Sequence, residues 1–220
     1  LILITARMAS TRFPNKPMAL INNKPMILHV WERAKEANLG RVVVACSEQI
    51  VADCIISAGG EAILTDPNLP SGTDRIYAAV ENDEEFLTLD SIINLQGDMP
   101  LIDNFSINHV NKIIAQGYDL STLVTSFSSE EEKRNENVTK AKVKWIKKEK
   151  IGEAVNFYKI SEKLDEQEIY HHVGIYGFSP LSLKRFVSLE PSIREKKIKL
   201  EQMRALDNGM SIGIGYIKKI

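Results

Sequence analysis

Four short apolar runs set the terms for this chain: LILIT at Leu1–Thr5, RVVVAC at Arg41–Cys46, EAILT at Glu61–Thr65 and SIINL at Ser91–Leu95. Each is too short for a buried helix and rich in β-branched residues, so each predicts a strand. Their apolar character does not alternate. Strands of that kind are covered on both faces, as in the interior of a parallel sheet.

The segments between them have helical period. In Met26–Ala37, Ile27, Val30, Ala34 and Ala37 fall on one face, and Pro25 stands at the start, where a missing N–H costs little. Gln49–Ala58 is helical and stops at Gly59-Gly60. Thr73–Val80 opens another helix, and Phe105–Ala115 carries Ile107, Val110 and Ile114 on one side. Strands alternating with helices predict an α/β fold: a three-layer α/β/α arrangement around a mostly parallel, mixed sheet.

After about residue 120 the pattern changes. Leu120–Phe127 predicts a strand, Ser128–Asn137 a charged loop, Ala141–Ile146 a half-exposed strand and His172–Phe178 another. Helices are expected at Leu181–Leu189 and about Arg194–Asn208, with a last strand at Met210–Ile217. No repeat and no flexible linker interrupts the chain, so a single domain over residues 1–220 is expected.

Lys and Arg number 28 against 29 Asp and Glu, a net charge of −1, so bulk charge offers no attraction to nucleic acid or membrane. Any anion site must be a local cluster. No apolar run is long enough to span a bilayer and no signal peptide is visible. Cys46 and Cys54 lack metal-ligand spacing and are expected to be buried thiols of a reducing compartment.

In a doubly wound sheet, ligands bind outside the carboxyl ends of the strands. Three loops lie there. Ala6–Pro17 (ARMASTRFPNKP) places Arg7, Arg12 and Lys16 close together, adds hydroxyls from Ser10 and Thr11, and is stiffened by Pro14 and Pro17. Taken alone it is equally an anion site or a solvated basic loop. Asp66–Arg75 (DPNLPSGTDR) offers Gly72 for close approach, Thr73 as a helix cap, and Arg75 in a first helical turn. A cation there opposes the helix dipole, so Arg75 needs either an anionic ligand or an acidic neighbour. Gln96–Pro100 (QGDMP) puts Asp98 just past a strand. There it can hold Mg²⁺ beside substrate phosphates, or serve as an Asp turn closed by Pro100. Together the three loops describe a nucleoside triphosphate–Mg²⁺ site without a glycine-rich phosphate loop; GxGxxG and GxxxxGK patterns are absent. The histidines say less. His29 and His109 fit helix packing, and of the neighbours His171 and His172 only one can face a site.

At this level of detail the chain resembles a known family. ARMASTRFPNKPM, NNKPMILHVWERA, PSGTDRI, NLQGDMP, HHVGIYGFS and LEQMRAL are similar, in order and over nearly the whole length, to the motifs of the 3-deoxy-manno-octulosonate cytidylyltransferases. The resemblance implies a nucleotide-diphospho-sugar transferase-like fold. It implies transfer of CMP from CTP to 3-deoxy-manno-octulosonate (Kdo), a Mg²⁺ requirement, a role in lipopolysaccharide biosynthesis, a cytoplasmic setting and a homodimer. Carried over by position, it implies that Ala6, Arg7, Lys16, Ser71, Gly72 and Arg75 bind the nucleotide. Lys16, Arg7 and Asp98 act in catalysis, with Asp98 on the metal. It implies that Gln96 meets the sugar acid together with His172, Tyr176, Glu201 and Gln202, the last four in a later part of the chain (about 120–220) that contributes the sugar-acid pocket and dimer contacts.

Two departures accompany it. AVNFYKI (154–160) lacks the arginine usual in the family's corresponding segment, and the chain stops at Ile220, before the family's second acidic metal contact. Since it also opens on Leu1 rather than Met, trimming at both ends is expected. Two alternatives stay open: a cytidylyltransferase for sialic or another 2-keto sugar acid, and a non-catalytic nucleotide-binding homologue.

Overall fold

The computed structural model describes residues 1–8, 14–147, 151–159 and 169–218. Contacts group them into two units, Leu1–Asn108 and His109–Ile220.

In the first unit, β1 (Ile2–Ala6) is the centre, and Ile2, Leu3 and Ile4 are wholly buried. It pairs in parallel with β4 (Val42–Cys46) on one side and β6 (Ile92–Gln96) on the other. β5 (Glu61–Leu64) pairs outside β4, so the order is β5-β4-β1-β6. A two-strand hairpin, β2 (Leu20–Ile21) and β3 (Lys24–Pro25), turns through Asn22 and Asn23, both at positive φ. The sequence reading missed it.

Helices α1 (Met26–Glu36) and α2 (Gln49–Ser57) make the crossovers β1→β4→β5. Pro25 stands at the N-cap of α1, and His29 on this helix bonds the Ile21 carbonyl at 2.9 Å, holding the hairpin down. α2 ends at Gly59, whose φ of 80° suits a residue without Cβ. Helix α3 (Gly72–Ala78) then carries the chain back past β4 and β1 to β6. Crossovers are right-handed, so this reversed step puts α3 on the face opposite α1 and α2. The reversal creates a topological switch between β1 and β6. α4 (Asn104–Ile114), with Ile107, Val110, Ile113 and Ile114 buried, runs across the boundary between the units.

The second unit contains β7 (Leu120–Thr125), α5 (Glu130–Arg134), β8 (Lys140–Lys147), β9 (Ile151–Tyr158), β10 (Ile169–Phe178), α6 (Pro180–Ser188), α7 (Ile193–Ile198), α8 (Gln202–Asp207) and β11 (Ile212–Tyr216). The order is β10-β7-β11-β9-β8, with β7 and β11 parallel and the other neighbours antiparallel. The first residues of β10 pair back to β8, so the five strands close on themselves. Lys140 lies wholly buried near this closure. Its ammonium donates to the carbonyls of Asn135, Val138 and Lys159 at 2.5, 2.9 and 2.9 Å. Three donors meet three acceptors, which offsets the burial that lowers its pKa.

Three expectations change here. The charged segment Ser128–Asn137 is not all loop. Ser129 caps α5, and the acidic first turn (Glu130, Glu131, Glu132) and basic last turn (Lys133, Arg134) both favour the helix dipole. The helix expected over Arg194–Asn208 is two helices, α7 and α8, broken at Lys199 in the left-handed region. β9 was not foreseen as a strand, because its half-exposed residues do not alternate cleanly.

The break between α7 and α8 is held by a buried ion pair. Arg204 Nε and Nη2 donate to the Glu195 carboxylate at 3.0 and 2.8 Å, and the guanidinium lies over the Phe186 ring. Glu195 also accepts from the Ser192 amide, completing a capping box at the start of α7. Removing one partner strands the other in a dry site. Glu195→Ala should therefore lower the unfolding free energy by about 3–5 kcal/mol. The paired apolar change Glu195→Leu with Arg204→Met should recover most of that loss, and urea denaturation of the variants checks both.

Candidate functional site

The switch between β1 and β6 opens into a cleft of about 580 Å³ within the first unit. Its lining brings together Ala6, Arg7, Lys16, Ser71, Gly72 and Arg75, expected from sequence to bind the nucleotide, with Gln96, expected to meet the sugar acid, and Asp98, expected to hold the metal. Ser10, Thr11 and Arg12 of the basic loop lie outside the described residues.

Each side chain has a local reason for its place. β1 delivers Ala6 and Arg7 at its carboxyl end. Lys16 begins a short 3-10 turn, Lys16–Met18, after Asn15 takes a left-handed conformation. From there its ammonium reaches Asp98 Oδ2 at 2.6 Å. Asp98 sits two residues beyond β6 because the chain turns at Gly97, whose amide donates to the Thr5 carbonyl at 2.9 Å. A Cβ at Gly97 would lie 2.6 Å from that same carbonyl oxygen, so no other residue fits without moving the strand.

On the α3 side, Ser71 caps the helix by accepting from the Asp74 amide at 3.1 Å. Arg75 is buried at 2% exposure. Burial lowers its pKa, while the Glu48 carboxylate opposes that change. Glu48 is thus an acidic influence on Arg75, but the dipole argument from sequence does not hold: α3 is so short that Arg75 falls in its last turn, where a cation is favoured. The Thr65 hydroxyl accepts a short hydrogen bond from Arg75 Nη1. Arg75 also lines the cleft, so an acidic neighbour and an open ligand face coexist at this residue. The Cys46 thiol, pushed up to about 11 by burial, is inert.

Sequence reasoning missed Thr5, Pro17, Met26 and Leu69 on the cleft wall, and Asn94 and Thr73 behind it. Asn94 carried a readable signal: a polar side chain in the middle of an apolar strand.

The remaining expected residues belong to the second unit. His172 and Tyr176, both on β10, have ring centroids 5.6 Å apart, and the Tyr176 hydroxyl donates to Gln202 Oε1 at 3.2 Å. Glu201 is the N-cap residue of α8, and its charge, after burial, helps raise the Tyr176 pKa. The register of β10 shifts between Val173 and Tyr176, the kind of bulge that re-aims a side chain. Gln202 Nε2 is buried without a hydrogen-bond partner, a donor in want of a ligand or water. His171 faces away from its neighbour and holds Glu132 Oε1 at 2.8 Å.

Residues 1–212 match the cytidylyltransferase family. The 3-deoxy-manno-octulosonate cytidylyltransferase of Paramagnetospirillum magneticum is 44% identical over 221 residues, covering 100% of this chain and 90% of that protein. The protein of the same name from Parvibaculum lavamentivorans is also 44% identical over 221 residues, covering 100% and 85%. A solved structure of CMP:2-keto-3-deoxy-manno-octonic acid synthetase complexed with CTP is similar with a TM-score of 0.86 and 29% identity, covering 100% of this chain and 90% of that one. UDP-glucose pyrophosphorylase, with a TM-score of 0.66 and 12% identity over 99% of this chain and 90% of that one, shares the fold.

His172 provides a test of the second constellation. Thr122 Oγ1 lies 3.1 and 2.8 Å from the carbonyls of Val173 and Ile175, so its one proton goes to a carbonyl. His172 Nε2, 3.0 Å from the same oxygen, must then be the donor, and the ring is neutral. Burial holds its pKa down to about 3. The unfolded chain takes up this proton at a higher pH than the folded one does. Stability from neutral His172 is therefore complete above the ordinary histidine pKa and is lost as pH falls toward the folded value. The slope is about 1.4 kcal/mol per pH unit. Urea denaturation between about pH 6 and pH 4 should show this component in the wild type and not in His172→Gln; superimposable profiles would refute a buried neutral ring.

Proposed function

This chain belongs to the cytidylyltransferase family, and we propose that the cleft of its first unit is the CTP site of a 3-deoxy-manno-octulosonate cytidylyltransferase. The enzyme is a nucleotidyltransferase that moves CMP from CTP to Kdo, forming CMP-Kdo and pyrophosphate. The observation that carries the site assignment is the Lys16–Asp98 pair at 2.6 Å. A cation for phosphate oxygens and a carboxylate for a metal face each other at a glycine-lined edge of the sheet, and both side chains are solvent-accessible.

Asp98 fits a divalent cation. Mg²⁺ takes one or two carboxylates and completes its shell with phosphate oxygens and water. Among the described residues no group of three His, Cys, Asp or Glu side chains converges into a closed cage. Asp98 would hold the ion together with the substrate's own phosphates. When bound, Mg²⁺ supplies charge neutralisation and alignment of the triphosphate.

The chain's own residues do the rest. Arg7 and Lys16 bind triphosphate oxygens and counter the charge that grows on the α-phosphate and the departing pyrophosphate. Ser71, Gly72 and Arg75 hold the nucleotide against α3. The anomeric hydroxyl of Kdo attacks the α-phosphorus in line with pyrophosphate. Both reactants are anions, so orientation and cationic neutralisation account for most of the acceleration. Gln96 in the first unit, and His172, Tyr176, Glu201 and Gln202 in the second, are each assigned to a hydroxyl or the carboxylate of the sugar acid; for Gln202 the unpartnered Nε2 supports this. The family resemblance further supports a Mg²⁺-dependent homodimer acting in the cytoplasm in lipopolysaccharide biosynthesis. No helix among the described residues is long and apolar enough to cross a membrane.

Pyrophosphate release with CTP and Mg²⁺, using Kdo and sialic acid in parallel, tests the reading. Release with Kdo is expected; release with sialic acid alone would overturn the substrate. Lys16→Met and Asp98→Ala should each lower kcat by about 100- to 1000-fold with the circular-dichroism spectrum unchanged. Full turnover by Asp98→Ala would remove the metal role.

A further inference from the structure

Asn94 is 0% exposed at the centre of β6, in a strand whose other buried side chains, Ile92, Ile93 and Leu95, are apolar. A primary amide in that position costs stability unless both of its ends are bonded. Both are. Asn94 Nδ2 donates to Thr73 Oγ1 on α3 at 3.1 Å, and Asn94 Oδ1 accepts from Gln96 Nε2 at 3.2 Å. Gln96 Oε1 in turn accepts from Thr5 Oγ1 at 3.2 Å. Thr5 stands opposite Gln96 in the β1–β6 register. The four side chains form one directed row across β1, β6 and α3.

The direction matters. Each amide has a donor end and an acceptor end. Turning the Gln96 amide by a half-turn would set its oxygen against the Asn94 oxygen and waste the bond at that end. The Thr73 and Thr5 hydroxyls at the ends of the row can each donate or accept, so the row reverses only as a whole and neither amide turns alone. Bonds in such a row reinforce one another. Gln96 lines the cleft and Asn94 does not. After these bonds, Gln96 retains one N–H and one lone pair, a donor and an acceptor side by side, which is the pattern a hydroxyl group matches.

We propose that Asn94 is a positioning residue that, braced by Thr73, holds the Gln96 amide in place at the cleft and stops it turning alone, so that Gln96 presents a paired donor and acceptor to a hydroxyl of the acceptor sugar. The assignment of that hydroxyl rests on the function proposed above; the locked amide does not.

Steady-state kinetics with Kdo and CTP varied separately test the kinetic consequence. Asn94→Ala should raise KM for Kdo about tenfold and leave KM for CTP within about twofold. Asn94→Asp, which keeps an acceptor toward Gln96 and lets the Thr73 hydroxyl donate to it, should recover most of the loss. In a Gln96→Ala background, Asn94→Ala should add nothing, because it acts only through Gln96. Thr73→Val, milder for folding, should move the same KM in the same direction, and it serves if Asn94→Ala does not fold. Equal losses on both substrates, or full additivity with Gln96→Ala, would overturn the proposal. Side-chain amide NMR of the substrate-free protein decides the lock independently. The Gln96 amide protons should exchange at least about tenfold more slowly in the wild type than in Thr73→Val, and equal exchange would overturn it. If the wild type does not turn over Kdo, the substrate reading fails while this measurement still decides the lock.

Discussion

Parallel pairing of β1 with β6 is the constraint on which the first unit depends. Its register sets Ile2 opposite Ile93 and Thr5 opposite Gln96, so both strands end at the same edge. The chain that follows each must leave there, and the return of α3 on the opposite face keeps the edge between them open. Arg7 and Asp98 lie far apart in the chain, yet neither has freedom to be elsewhere. Gly97 tightens the constraint further, since its amide is bonded to Thr5 and its missing side chain lets the two backbones touch.

The same edge accounts for the charge pattern. Net charge is close to zero, so the positive charge at the cleft is local, from Arg7, Lys16 and Arg75 on its lining. The acidic groups present each have a defined role: Glu48 compensates Arg75, Asp74 favours the first turn of α3, and Asp98 faces Lys16. In the second unit the logic is burial with full hydrogen bonding. Lys140 is wrapped by three carbonyls and Arg204 is gripped by Glu195, while His172 stays neutral. Gln202 Nε2 departs from this pattern, and it sits beside Tyr176.

Much of this was legible before any coordinates. The runs at Leu1–Thr5, Arg41–Cys46, Glu61–Thr65 and Ser91–Leu95 all became strands within a residue or two; in β1, β4 and β6 this is because a strand covered on both faces leaves an uninterrupted apolar signature, whereas β5, at the sheet edge, is only partly covered. Where the reading failed, the signal was local and weak. α5 hides among charges because its stability lies in the Ser129 cap and dipole pairing. The α7–α8 break hides in an unbroken helical composition, because it depends on a left-handed Lys199 and a salt bridge spanning nine residues. β9 hides because an exposed strand next to other strands has no need of alternation.

The amino-acid sequence by itself determined the α/β class, the three ligand loops, and the residue types suited to a triphosphate and a metal. These follow from hydrophobic period, turn chemistry and charge, which act over a few residues. Only the tertiary structure decided that Lys16 meets Asp98, that Glu48 answers Arg75, and that Asn94 and Thr73 brace Gln96. Those contacts depend on strand register and helix placement. Register is set by the summed burial of side chains far apart in the chain, and no short stretch of sequence contains that sum.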